Sequence, residues 1–313
     1  TAFTPIKIAN SLLNFWVGPQ EASIGGNCGS ILDYLRMIIC NEDMASYDYL
    51  INFLAHMVQK PEEKPGVMIV LLGKQGTGKG MFFRLLRSIW TRTTLQISDI
   101  EMAIGRFNAC LERNFAVCMD EALFSGDRKA LDRLKSIVTE PTINIEQKYQ
   151  PARSIESIHR FFAASNHEQF AHVELDDRRF VFLRVSDLKQ QDTTYFRQLN
   201  EALQDSERVG AFIHHLLQVD LSDFDIRKRP QTGEHLTQRI KSLQGVERFW
   251  YEVLVTENIA GQVNQFEEGL HWSTPMFVPS TTLSRYYREF NKNAQRFQSV
   301  QVTDVVTNIR RLC

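Results

Sequence analysis

Residues 67–72 form an unbroken apolar run that leads directly into Gly73-Lys74-Gln75-Gly76-Thr77-Gly78-Lys79-Gly80 and then into the apolar residues Met81, Phe82 and Phe83. A strand, a glycine-rich turn and a helix in immediate succession leave few folds open. The breaker pair Pro65-Gly66 precedes the run, which suits a central strand covered on both faces. Gly73, Gly76 and Gly78 let the backbone turn at positive φ and bring its N–H groups up to phosphate oxygens. Lys79 adds a point charge for β- and γ-phosphates, and the helix that starts there aims its dipole at the same anion. The spacing therefore predicts a nucleotide site formed by Gly73, Gln75, Gly76, Thr77, Gly78, Lys79, Gly80 and Met81. One position departs from the pattern: residue 80, where a Ser or Thr hydroxyl would ligate Mg²⁺, is glycine.

The chain's 313 residues suffice for about two domains with a real core. Its 43% hydrophobic and 23% charged residues are ordinary for a soluble protein, and no apolar run approaches a membrane span, so no membrane role is expected. Five widely spaced cysteines without a C-x-x-C pair read as thiols in a reducing compartment rather than disulfides or zinc ligands. A net charge of −1 makes no global case for nucleic acid, but residues 226–313 hold 12 Lys/Arg against 8 Asp/Glu. That excess fits phosphate contacts or a solvated surface equally well. A start at Thr1 and an end within an apparent helix read as a piece of something larger.

Three regions are expected: a helical lead-in at 1–62, an α/β nucleotide core at 63–218, and a mainly helical part at 219–313. The lead-in is read from apolar positions at helical spacing in 31–39 and 47–58, and the core from alternating strand and helix patterns with a parallel sheet.

About forty residues beyond Lys79, the apolar stretch 115–119 ends in Asp120-Glu121. The first acid can hold Mg²⁺ and the second can orient and deprotonate an attacking water. Ligands collect at the carboxyl ends of strands in open α/β sheets, where both this pair and the glycine-rich loop would lie. A third apolar strand at 158–164 ends in Ser165-Asn166, whose amide could bond both γ-phosphate and lytic water. Next comes Asp176-Asp177-Arg178-Arg179-Phe180. Paired arginines need an anion or solvent. One could reach a neighbouring subunit's ATP as an arginine finger, or both could pair with Asp176 and Asp177. Between the second and third strands, alternating segments flank a Lys148-Tyr149-Gln150-Pro151-Ala152-Arg153 tip, predicting a hairpin. Lys148, Tyr149 and Arg153 join cations to an aromatic ring, a combination suited to single-stranded nucleic acid.

This order of loop, Asp-Glu strand, hairpin, Asn-ended strand and arginine pair resembles the superfamily 3 helicases of the AAA+ class, and more narrowly the helicase portion of phage and plasmid primase-helicases. The likeness is carried by Leu72 through Gly80, by Gly105-Arg106-Phe107-Asn108, by Leu134-Lys135-Ser136-Ile137-Val138-Thr139, by Ala164-Ser165-Asn166-His167-Glu168 and by Asp177-Arg178-Arg179-Phe180. It covers about residues 28–187 and extends more weakly beyond them. It implies an AAA+-like P-loop core followed by a helical or winged-helix tail. It also implies ATP-driven translocation on single-stranded DNA by a ring, a hexamer in this class, with 3′-to-5′ polarity usual and a primase or polymerase portion in the same polypeptide or replisome. By that resemblance Lys79 binds β/γ-phosphate, Asp120 holds Mg²⁺, Glu121 is the base, Asn166 is the sensor, and Arg178 or Arg179 is the finger. Lys148, with Tyr149 and Arg153, matches the hairpin that lines the central channel. The implied setting is the cytoplasm of a host cell, with the gene carried by phage or plasmid. Gly80 supports a second reading, a nucleotide-gated DNA-binding or assembly module that hydrolyses poorly. A GTPase or small-molecule kinase is disfavoured, because no N-K-x-D motif occurs, the nearest string being Asn291-Lys292-Asn293-Ala294, and because the second half of the site fits a motor better.

Overall fold

Every residue of the strand that feeds the glycine-rich loop is buried, because the strand has parallel partners on both sides and packed side chains on both faces. The computed structural model describes residues 2–7, 13–121, 128–166, 178–230, 232–257, 278–293 and 302–312. Its strands are β1 (Met68–Leu72), β2 (Thr94–Ile97), β3 (Ala116–Met119), β4 (Thr142–Ile145), β5 (Arg153–Glu156), β6 (Arg160–Ser165) and β7 (Phe180–Arg184). Five of them form one parallel sheet in the order β2-β3-β6-β1-β7, and β4 and β5 pair antiparallel as a separate hairpin. The α/β class and the central parallel sheet are as the sequence predicts. The short strand β2 was not singled out there.

The helices are α1 (Gly29–Asp33), continued by a π-helical stretch at Tyr34–Ile39, then α2 (Met44–Gln59), α3 (Lys79–Ile89), α4 (Glu101–Ile104), α5 (Arg128–Thr139), α6 (Thr193–Gln204), α7 (Ser206–Gln218), α8 (Gly233–Ser242), α9 (Gly245–Thr256), α10 (Ser280–Asn293) and α11 (Val302–Leu312). None is long and apolar enough to cross a membrane. Cys28, Cys40, Cys110 and Cys118 are free thiols.

Strand side chains alternate between faces, so the sheet supports two cores. Ile69 and Leu71 join Phe83, Leu86, Phe162 and Leu183 on one face, packed with Tyr34, Leu50 and Phe53 of the lead-in and Phe212 of α7. Met68, Val70 and Leu72 join Val117, Met119, Phe161 and Phe182 on the other, covered by Leu131 and Leu134 of α5 and by Ile143 and Ile145 of the hairpin. The helical lead-in is therefore part of the wall of the α/β core. Compactness divides the chain into Thr1–Arg239 and Ile240–Cys313. The second unit has its own small core of Phe249, Val253, Tyr287, Val305 and Ile309, and its described residues are helical.

Candidate functional site

In the loop after β1, two of the three glycines take the positive φ expected of them, and Gly73 does not. Gly76 and Gly78 stand at φ of 77° and 100°, and α3 begins at Lys79. Lys79 is 8% exposed, and its Nζ donates to the carbonyls of Gly73 and Lys74, each at 2.7 Å. Burial lowers its pKa from the usual lysine value, while Asp120 and Glu121 push the other way. The lysine thus sits partly desolvated opposite two carboxylates, and an added anion would find its charge little screened. Thr77 is 1% exposed and donates its hydroxyl to the Lys74 carbonyl at 2.9 Å, so it braces the turn from within. Gly80 is exposed, and a Cβ built there meets nothing within 4 Å. The missing hydroxyl at this position is therefore not a steric necessity.

Strand register carries the second half of the site to the loop. Leu72 aligns with Ser165 across β1 and β6, Met119 with Ala163 across β3 and β6, and the Gly73 N–H donates to the Ser165 carbonyl at 3.3 Å. The residues after β1, β3 and β6 therefore emerge along one edge. There a cavity of about 650 Å³ is lined by Gln75, Gly76, Gly78, Lys79, Gly80, Met81, Asp120, Glu121 and Asn166. Asp120 is fixed by two bonds, from the Gln96 amide to Oδ2 and from the Glu121 backbone N–H to Oδ1, each at 3.1 Å. Glu121 is exposed at φ 53°, on a turn outside the strand. Two carboxylates, one lysine and a cradle of backbone N–H groups form a donor set suited to a nucleotide phosphate chain with Mg²⁺, a cation that takes few protein oxygens and keeps waters.

Arg178 and Arg179 do not line this cavity. They precede β7, and the Met68 N–H donates to the Arg179 carbonyl at 2.7 Å, so the pair lies at the opposite edge of the sheet. At a strand rise of about 3.3 Å per residue, that is roughly 15 Å from the glycine-rich loop of the same chain. Asp176 and Asp177, the alternative partners, lie outside the described residues.

The β4–β5 hairpin forms as predicted, and the Gly105-Arg106-Phe107-Asn108 string anchors it. Buried Asn108 donates to the Asn144 carbonyl and accepts from the Glu146 N–H, each at 3.0 Å. Arg106 pairs with Glu146 at 2.7 Å, and Lys148 Nζ stands 5.5 Å from the centroid of Phe107, a ring that is 48% exposed. Tyr149 at the tip is fully exposed at φ 65°. Arg153, by contrast, is committed to an ion pair with Glu112. Lys148, Tyr149 and Phe107 are therefore the tip's available cation and aromatic faces.

Sequence reasoning did not find the cavity's far wall. Gln191, Thr193, Phe196, Arg197 and Asn200, from α6 and its approach, face the loop together with Arg84 of α3. The six-residue Gln190-to-Tyr195 stretch contains no glycine or paired acid to flag it, and only tertiary contact brings it more than a hundred positions back to the loop.

Residues 71–179 match the model of a family of unknown function, DUF5906. Over 188 residues the chain is 28% identical to the DNA primase-polymerase of Nitratiruptor phage NrS-1, covering 58% of this chain and 26% of that protein. The chain thus spans about a quarter of the length of the curated relative it matches. Solved structures of the NrS-1 C-terminal region have a similar fold. One apo structure aligns over 98% of this chain and 78% of its own with a TM-score of 0.72 and 19% identity. The A form aligns over 85% and 68% with a TM-score of 0.67 and 21% identity.

Proposed function

We propose that this chain is the ATP-driven motor portion of a phage- or plasmid-type primase-helicase, a ring translocase on single-stranded DNA built on an AAA+ core of the superfamily 3 kind. The observation that carries this reading is the single cavity at the carboxyl edge of β1, β3 and β6, where Lys79, Asp120, Glu121 and Asn166 meet the glycine-rich loop. In this reading Gly76, Gly78 and Lys79 hold the β- and γ-phosphates, Glu121 orients and deprotonates the lytic water, and Asn166 bonds water and γ-phosphate. Asp120 would hold Mg²⁺, which supplies charge neutralisation on the phosphates, with a water in the place that Gly80 leaves open.

The edge position of Arg178 and Arg179 supports their use on a neighbouring subunit's nucleotide, and hence self-association into a ring, a hexamer in this class. The exposed Lys148, Tyr149 and Phe107 support the hairpin as the contact to single-stranded DNA. The primase-polymerase named among the relatives supports a setting in phage or plasmid DNA replication, in the cytoplasm of the host.

A second reading, a nucleotide-gated DNA-binding or assembly module, draws on one observation: with Gly80 bare and the Thr77 hydroxyl spent on Lys74, the loop offers no hydroxyl to a metal. Hydrolysis with and without single-stranded DNA separates the two. The motor predicts DNA-stimulated turnover lost in both Lys79→Ala and Glu121→Gln, and ATP binding without turnover in the unsubstituted chain would sink it.

A further inference from the structure

The cavity extends beyond what a phosphate chain needs, and its far wall has no part in the roles above. Phe196 of α6 lies against the glycine-rich turn, so that a Cβ on Gly78 would come within 2.5 Å of the ring. The ring is half-buried, and Tyr195 packs edge-on against it at 5.2 Å between centroids. The approach to α6 is fastened to the loop at two points. The Gln191 N–H donates to the Gly76 carbonyl at 3.0 Å, and the Gln190 side-chain amide donates to the Gln75 carbonyl at 2.9 Å. Asp192 then caps the helix by accepting from the Tyr195 N–H at 2.9 Å. Loop and wall are therefore held in one fixed relation.

Further along the wall, Arg84 donates to Asn200 Oδ1 at 3.0 Å. A guanidinium has no acceptor, so the amide must turn its oxygen toward Arg84, which leaves its NH₂ as a donor for a ligand. Exposed Arg197 adds further donors beside it.

We propose that this wall is the nucleobase subsite of the cavity. The base of a nucleoside triphosphate stacks on Phe196, and its ring acceptors face the donors of Asn200 and Arg197. An aromatic face fixed beside a phosphate cradle offers a base more than solvent does, because every base has a π-face and carries ring nitrogen or carbonyl acceptors. The proposal rests on reading the cavity as an ATP site.

The test is equilibrium binding of ATP and of inorganic tripolyphosphate to the full chain, unsubstituted and as Phe196→Ala, Phe196→Leu and Lys79→Ala. Tripolyphosphate presents the phosphates without a base, and leucine keeps an apolar cover over Gly78 while removing the aromatic face. Both Phe196 substitutions should weaken ATP about tenfold or more and leave tripolyphosphate within about twofold. Lys79→Ala should weaken both ligands. Equal losses for the two ligands in Phe196→Leu would show that the ring only props the loop, and unchanged ATP binding would show that no base stacks there; either result overturns the subsite. If the unsubstituted chain binds neither ligand, the nucleotide reading itself fails and the subsite falls with it.

Discussion

The Tyr34 hydroxyl donates to the Gly78 carbonyl at 3.0 Å, joining the helical lead-in to the glycine-rich loop across 44 positions of sequence. Tyr34 is fully buried, and burial pushes its pKa further above the usual phenol value, so the hydroxyl stays a donor. Tyr34→Phe keeps the packing and removes the donor. It should cost about 1 kcal/mol of stability and weaken ATP several-fold by loosening the turn. Calorimetric binding at unchanged secondary structure checks this, and ATP affinity equal to that of the parent would uncouple the lead-in from the loop.

The two last glycines of the loop should respond in opposite ways. Gly78 has a φ of 100° and the Phe196 ring above it, so Gly78→Ala should abolish nucleotide binding and destabilise by about 1–3 kcal/mol. Gly80 lies in open space at the start of α3, so Gly80→Ser should fold at least as well, by about 0.5 kcal/mol. Its hydroxyl should lower the Mg²⁺ concentration that half-saturates hydrolysis. A magnesium titration reads this directly, and an unchanged requirement would mean that the serine does not reach the metal.

Acid should weaken the fold through His159. The ring is buried with both nitrogens engaged: Nε2 faces the Leu111 carbonyl at 2.9 Å and Nδ1 faces the Ser157 hydroxyl at 3.0 Å. A carbonyl can only accept, so Nε2 carries the proton and Nδ1 accepts from Ser157. Burial, opposed by the Leu111 bond and aided by Lys64 and Arg160, pushes the ring down to about 4. The unfolded chain takes up this proton near pH 6.5 and the folded chain only near 4. The contribution is therefore complete above 6.5 and is lost as pH falls through that window, by at most about 3 kcal/mol. Urea unfolding between pH 4 and 7 should show this slope, and His159→Gln should flatten it.

The hairpin cations should separate by role. Lys148→Glu should weaken single-stranded DNA binding at least tenfold and spare basal ATP hydrolysis. Arg153→Ala loses a partly exposed pair with Glu112, worth at most about 1 kcal/mol, and should affect DNA less. Fluorescence anisotropy with labelled DNA would refute the assignment if Lys148→Glu bound as well as the parent.

Subunit mixing tests the arginine pair. Arg179→Ala and Glu121→Gln chains should each be inactive alone and regain part of their ATPase activity when combined, since some interfaces then carry both groups intact. Activity that stays absent at every mixing ratio, with a paired Arg178→Ala series behaving alike, would exclude a finger supplied from across an interface.

Several elements depend on neighbours in sequence and could be read there. The run 67–72 with its glycines, the carboxylates ending 115–121, the amide ending 158–166 and the alternation around Lys148 each follow from side-chain period, backbone freedom and covalent spacing within a dozen or so residues. Their meeting at one sheet edge followed from a general property of parallel strands. The pairings that tune the site did not follow. Phe196 over Gly78, Arg84 on Asn200, Tyr34 on Gly78 and Glu112 on Arg153 join residues 41 to 118 positions apart, and their local patterns look like ordinary helix faces or strand ends. Sequence by itself determined the kind of loop and the carboxylates opposite it. Which helix closes the cavity, which arginine is already spent in an ion pair and which edge of the sheet receives Arg178 and Arg179 were decided by tertiary packing, because such contacts depend on how whole elements bury their apolar faces against one another.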